Sequence, residues 1–92
     1  MRAQFETIRQ RELLSRFDKN SVLIDVREVD EYRQGHLPQA INIPLGQIER
    51  ATQKLDKNKV YFVICRSGKR SEMAAKTLVK YGFNKVYNVI PE

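Results

Sequence analysis

The chain of 92 residues is 41% hydrophobic and 30% charged, with a formal net charge of +6; these are the proportions of an ordinary globular protein with one modest core, and a single domain over residues 1–92 is expected. Its longest apolar run, VYFVIC at 60–65, is far short of the about 20 residues of a membrane span, and the opening MRAQFETIRQ lacks the apolar centre of a secretory signal, so no membrane partner is expected. The one cysteine, Cys65, can close no internal disulfide and has no second thiol with which to build a metal site, which points to a reducing, cytoplasmic setting and no bound metal.

The positive charge raises nucleic acid as a partner. Lys and Arg are, however, interleaved with Asp and Glu along the whole chain, as in DVREVDEYRQGH at 25–36. There is no basic tract and no aromatic-rich RNA-binding signature. The expectation is no nucleic-acid partner, but a cationic bias able to draw small anions.

In chain order, QFET (4–7) reads as an edge strand. A helix follows over 10–17, with Leu13, Leu14 and Phe17 on one face and Thr7 with Gln10 as a weak capping box. VLIDV (22–26) is a strand, and VDEYRQ (Val29 to Gln34) a short helical turn. After the strand AINI (40–43) comes a helix over 45–55, where Ile48, Ala51, Thr52 and Leu55 recur at i, i+3, i+4 and i+7. The strand VYFVIC leads to a helix over 70–81 that buries Ala74, Ala75, Leu78 and Val79. Lys80 lies in its last turn, and Gly82 suits a left-handed stop. KVYNVI (85–90) is the final strand. These strands are short, rich in Val and Ile and nearly continuously apolar, as strands covered on both faces are. The pattern gives an α/β fold with a mainly parallel sheet, helices on both faces and right-handed crossovers.

Cys65 thus lies at the carboxyl end of a central strand, where open α/β sheets place ligand sites. The turn Arg66-Ser67-Gly68-Lys69-Arg70 must fold back tightly before the next helix, and Gly68 permits a positive φ there. Successive N–H groups in such a turn can form an anion-binding nest. The helix start adds its positive end, and Arg66, Lys69 and Arg70 add formal charge. All favour thiolate over thiol. An ordinary cysteine has a pKa of about 8.5, and such surroundings lower it to about 3.5–7.5. A nucleophilic or sulfur-carrying Cys65 is expected; the alternative is a buried, inert thiol.

CRSGKRS (65–71) resembles the active-site loop of the rhodanese family of sulfurtransferases, with its Cys-x-x-Gly-x-Arg pattern. VLIDVREVDEYRQGHLPQAINIP (22–44) is similar to that family's first signature, and RSEMAAKTLVKYGFNKVYNV (70–89) to its following helix and last strand. The resemblance covers about residues 5 to 90. It implies a five-stranded, mainly parallel sheet flanked by helices, and persulfide chemistry on Cys65 with no metal or organic cofactor. The partners implied are a small anionic sulfur donor such as thiosulfate and a cyanide or thiol acceptor. A protein sulfur acceptor, or a non-catalytic interaction domain of the same fold, are the other readings. Cys65 to Arg70 is a Cys-x4-Arg loop, shorter than the Cys-x5-Arg loop of the phosphatase branch, which ranks phosphatase or arsenate reductase activity below sulfur transfer. Members of the family commonly continue after the last strand with a glycine-containing turn and a short helix. Here the sequence ends at NVIPE, so the closing helix is expected to be absent or to lie outside this chain, with one wall of the site affected; the 92 residues being cut from a longer chain, or a partner covering the gap, are the alternatives.

On this reading Arg70 either stabilises the loop or meets the donor. Arg66 and Lys69 face outward at the entrance, Ser67 offers a hydroxyl and an N–H, and Ser71 either bonds the persulfide or caps the helix. Asp25, at the same sheet edge, anchors Arg70 or another basic group. Arg27 pairs locally with Glu28 or Glu31, the alternative being contact with substrate. His36, in the turn GHLP, is read as structural.

Overall fold

The computed structural model describes residues 4–92. Five strands form one sheet: β1 (Glu6–Arg9), β2 (Ser21–Asp25), β3 (Ala40–Asn42), β4 (Val60–Ile64) and β5 (Val86–Ile90). Their order is β1-β5-β4-β2-β3, and every pairing is parallel. Four α-helices connect them: α1 (Leu13–Arg16), α2 (Val29–Gln34), α3 (Ile48–Ala51) and α4 (Lys69–Lys80). Short 3-10 turns lead into α1 and α3. No helix among the described residues is long and apolar enough to cross a membrane.

Alternation along each strand sends side chains to opposite faces, and two clusters result. On one face Ile24, Tyr61, Val63 and Val86 pack with Ile48 of α3 and Ala74, Ala75 and Leu78 of α4. On the other, Leu23, Phe62, Ile64 and Val89 pack with Leu13 of α1, with Tyr32 of α2 at the margin. Helices therefore cover both faces, two on each, and β4 is screened so well that Phe62 and Val63 are wholly buried.

Helix α4, twelve residues long, packs Ala74, Ala75 and Leu78 against the sheet. Its end is a left-handed stop: Gly82 has φ +95°, its N–H donates to the Val79 carbonyl at 3.0 Å, and the Phe83 N–H donates to the Leu78 carbonyl at 3.1 Å. Those paired bonds close the helix as expected from the glycine. They also turn Phe83 into the core, edge-on to Tyr61 with ring centroids 5.2 Å apart.

Three local expectations fail. The segment 10–17 is not one helix but a 3-10 turn followed by a single α turn, so Leu13 is buried while Leu14 is 90% exposed. Thr7 lies within β1 and makes no capping box; the N–H of Arg9 is taken instead by the Glu12 carboxylate at 3.0 Å. The segment 45–55 is helical as far as Ala51, a 3-10 turn running into α3, and continues in turns.

Phe83→Ala is expected to remove about 3–5 kcal/mol of stability through the cavity it leaves, and Leu14→Ala less than about 0.5 kcal/mol. Urea unfolding reads both; similar losses for the two would contradict this core.

Candidate active site

The chain leaves β2 toward the β3 edge of the sheet and leaves β4 toward the β5 edge, with α2 on one face and α4 on the other. The two connections diverge, so a crevice opens beyond the carboxyl ends of β2 and β4, the switch-point position of open α/β sheets. The Val26 N–H still reaches the Ile64 carbonyl at 3.0 Å. One residue beyond Ile64 is Cys65, only 4% exposed. It lines a shallow cavity of about 260 Å³ together with Arg66, Asp25, Arg27, His36 and Pro91.

The loop after Cys65 turns at Gly68, whose φ is +94°. A Cβ at Gly68 would lie 3.5 Å from Ile90 Cγ1, an ordinary contact, so the backbone angle rather than space calls for glycine. That angle starts α4 directly at Lys69 and aims two N–H groups at the sulfur. Cys65 Sγ accepts from the Gly68 amide at 3.1 Å and from the Ser71 amide at 3.3 Å. Burial is the largest single influence on the thiol and pushes its pKa up. Against it stand the hydrogen bonds at Ser71, that of the side chain where its hydroxyl turns to the sulfur and that of the amide, with those of the Ser67 and Gly68 amides; together they bring the pKa below the ordinary value.

Ser71 is wholly buried as the third residue of α4 and does not cap it; Gly68 occupies the capping position. Its Oγ lies 3.4 Å from Cys65 Sγ, and its hydroxyl donates to Asn88 Oδ1 at 2.5 Å. Asn88, 4% exposed on β5, in turn donates from Nδ2 to the Gly68 carbonyl at 3.4 Å.

Arg70 is held by Glu31 of α2 in a two-pronged pair, Nη1 to Oε1 at 2.7 Å and Nη2 to Oε2 at 3.1 Å, the geometry in which guanidinium and carboxylate bind most strongly. The Glu28 N–H adds a third bond to Glu31 Oε1 at 2.9 Å, and Arg66 Nε approaches Oε2 at 3.6 Å. Arg70 foremost, then the Glu28 amide, hold the Glu31 carboxyl down at about 2. The same pair raises the pKa of Arg70. Glu31 thereby ties the loop to the opposite wall of the crevice. Arg66, Ser67 and Lys69 are exposed, and of the three Arg66 lines the cavity.

Arg27 does not pair with Glu28 or Glu31. Its Nε and Nη2 clasp Asp25, the shortest contact being 2.7 Å, and Nη2 also donates to the Gly35 carbonyl at 2.7 Å. Asp25 also accepts from the Arg27 backbone N–H at 3.0 Å, so its basic partner is Arg27 and not Arg70. The Asp25 hydrogen bond raises the Arg27 pKa. This clasp shapes the cavity floor. His36 stacks on Tyr32 with centroids 3.7 Å apart, and its Nδ1 lies 2.9 Å from the Tyr32 carbonyl oxygen. The structure adds two residues to those singled out from the sequence, Glu31 and Asn88. Glu31 stands 39 positions before Arg70, and only the polarity of Asn88 inside an apolar strand hinted at a special position.

Residues 9–90 match the family described as the rhodanese-like domain. The chain is 47% identical over 74 residues to YrkF of Bacillus subtilis (strain 168), a protein provisionally named a sulfur carrier; the match covers 80% of this chain and 40% of that protein, so the chain spans less than half of it. It is 33% identical over 72 residues to the thiosulfate sulfurtransferase GlpE of Coxiella burnetii (strain RSA 493 / Nine Mile phase I), covering 78% of this chain and 67% of the relative. Among solved structures, a rhodanese with anions from E. coli superposes with a TM-score of 0.70 at 37% identity, over 77% of this chain and 86% of that one. With its all-parallel five-stranded sheet and the match over residues 9–90, the chain belongs to the rhodanese-like domain family.

Proposed function

We propose that this chain transfers sulfane sulfur through a persulfide on Cys65. The observation that carries the reading is the pair of amides, Gly68 at 3.1 Å and Ser71 at 3.3 Å, that converge on one sulfur atom at the start of a twelve-residue helix. Such donors stabilise negative charge without reorganising when it forms.

In the first half-reaction the Cys65 thiolate attacks the outer sulfur of a donor such as thiosulfate. The new S–S bond forms as the donor's S–S bond breaks, and sulfite leaves with the electron pair. The product is Cys65–S–S⁻. In the second, cyanide or a thiolate attacks the terminal sulfur, the Cys65–sulfur bond breaks, and the Cys65 thiolate returns. This is two-step covalent catalysis, and neither half requires a metal or an organic cofactor. The rim charges of Arg66 and Lys69 draw the anionic donor, and Ser67 offers its hydroxyl at the mouth. Gly68 and Ser71 supply the amides of the cradle. Asp25 and Arg27, locked together, position the cavity floor and are not proton carriers. Arg70, occupied by Glu31, acts by holding the loop.

A second reading is a sulfur carrier that loads at Cys65 and delivers to a protein thiol. It is supported by the likeness to YrkF, by the exposed Arg66 lining the cavity and by the exposed Lys69 and Met73 in the first turns of α4, Met73 being 57% exposed. The setting proposed for both is the cytoplasm.

Incubation with thiosulfate is expected to add the mass of one sulfur atom to Cys65, reversed by cyanide and absent from Cys65→Ser. No gain on an intact, alkylatable thiol would contradict the proposal. Fast turnover with cyanide favours the enzyme, and transfer to a protein thiol alone favours the carrier.

Arg70→Ala and Glu31→Gln are each expected to slow persulfide formation about tenfold, because both release the loop. If Arg70 instead contacted the donor, freeing it in Glu31→Gln would leave the rate unchanged or raise it.

The Glu31 carboxyl also predicts a pH effect. Its folded pKa, about 2, lies below the ordinary 4.5, so its contribution to stability is complete above the ordinary value and is lost as the pH falls through about 2. Thermal unfolding of wild type and Glu31→Gln should therefore differ most near neutrality and converge in acid; a constant difference would contradict the assignment.

A further inference from the structure

Hydroxyl protons can be placed by elimination in the buried group behind Cys65. The Asn88 amide faces the Gly68 carbonyl with Nδ2 and Ser71 with Oδ1. Exchanging its nitrogen and oxygen would set two carbonyl oxygens, those of Asn88 and Gly68, against each other. Asn88 Oδ1 has no proton, so the 2.5 Å contact with Ser71 Oγ must hold the serine's own proton. A hydroxyl has only one. With it turned to Asn88, the oxygen presents lone pairs to Cys65 Sγ, 3.4 Å away. In that arrangement Ser71 accepts from the S–H group and favours the neutral thiol. Ser71 can donate to a thiolate only by leaving Asn88 Oδ1 without its partner in a site that is 4% exposed.

We propose that Asn88 is a positioning residue that holds the Ser71 hydroxyl proton away from Cys65, opposing ionisation of the sulfur while the loop amides favour it. The inference rests on the reading of Cys65 as the sulfur-carrying residue. It gives the site two discrete arrangements. The hydroxyl points to Asn88 when the sulfur is a neutral thiol and turns to the sulfur when charge develops there. The lost bond to Asn88 Oδ1 is one buried hydrogen bond, and losing it offsets part of what the amides contribute. The consequence for a persulfide is direct. Once Sγ is bonded to a second sulfur it has no proton to donate and little charge, so the hydroxyl can return to Asn88. The negative charge then lies on the outer sulfur, for the acceptor side of the reaction.

Other charged and titratable groups around Cys65, Arg70 acting on it through space, are the same in wild type and the Asn88 variant. Arg66 and Arg70 lie on its own loop and helix, Glu31 on α2, Asp25 and Arg27 at the end of β2, and His36 before β3. Asn88 reaches the sulfur from β5, behind the loop and through Ser71.

The test is titration of the Cys65 thiol by ultraviolet thiolate absorbance, with no sulfur donor present. A failure here is therefore distinct from a failure to form persulfide. Asn88→Leu, of similar volume, is expected to lower the ionisation midpoint by about one pH unit, about tenfold in thiolate population at a fixed lower pH. The shift requires the serine, so Asn88→Leu in a Ser71→Ala background should move the midpoint little. An unchanged or raised midpoint in folded Asn88→Leu, or an equal shift without Ser71, would overturn the proposal. Ser71→Ala alone gives a second check that does not depend on the larger substitution. With the hydroxyl shared as described, its removal shifts the midpoint by less than about half a unit. A rise of a full unit or more would show that Ser71 is an unopposed donor to the sulfur and would equally overturn the role of Asn88.

Discussion

The site depends on the convergence of the Gly68 and Ser71 amides on one buried sulfur. A thiol at 4% exposure would by itself resist ionisation, because burial disfavours the charged form. Fixed N–H dipoles at the start of a helix, with the Ser71 hydroxyl when it turns to the sulfur, reverse that preference. The reversal needs a backbone angle that only glycine adopts readily, and so Gly68 links the local conformation to the chemistry.

The loop is short and would be poorly ordered alone. It is held from three sides. Strand β4, the most deeply buried, delivers Cys65 to the crevice. Helix α4, closed at its far end by Gly82 and anchored by Phe83, fixes the direction of the loop amides. Glu31 fastens Arg70 from the facing helix. Arg27 and Arg70 are each consumed by a carboxylate, Asp25 and Glu31, at 2.7 Å. Arg66 makes only a looser approach to Glu31, at 3.6 Å with its side chain exposed, and so keeps more of its charge for an anion.

Much of this was legible from residue types. Alternating strand and helix patterns gave the architecture and the position of four strands, with β1 starting two residues later than QFET, and glycine at 68 and 82 marked the two helix ends. CRSGKRS located the cysteine loop. Legibility failed where geometry rather than pattern decides. Leu14 has the right spacing for a buried helical face, but a 3-10 turn before it rotates it outward. Arg27 has acidic neighbours at 28 and 31 in sequence, yet the strand end places it back over Asp25. The partners Glu31 and Arg70 are brought together only by the diverging crossovers. Asn88 looks like a blemish in an apolar strand until Ser71 and Gly68 are seen against it. Long-range pairings of this kind leave no periodic trace.

The most direct measurement is the ionisation midpoint of Cys65 in the unmodified protein, followed by its rate of alkylation against pH. Hydrogen-bond donors that together outweigh burial predict a midpoint below the ordinary value of about 8.5, rising in Gly68→Ala as the strained turn moves the amides away. A midpoint at or above the ordinary value, unmoved by that substitution, would contradict the view that the loop backbone sets the charge on this sulfur.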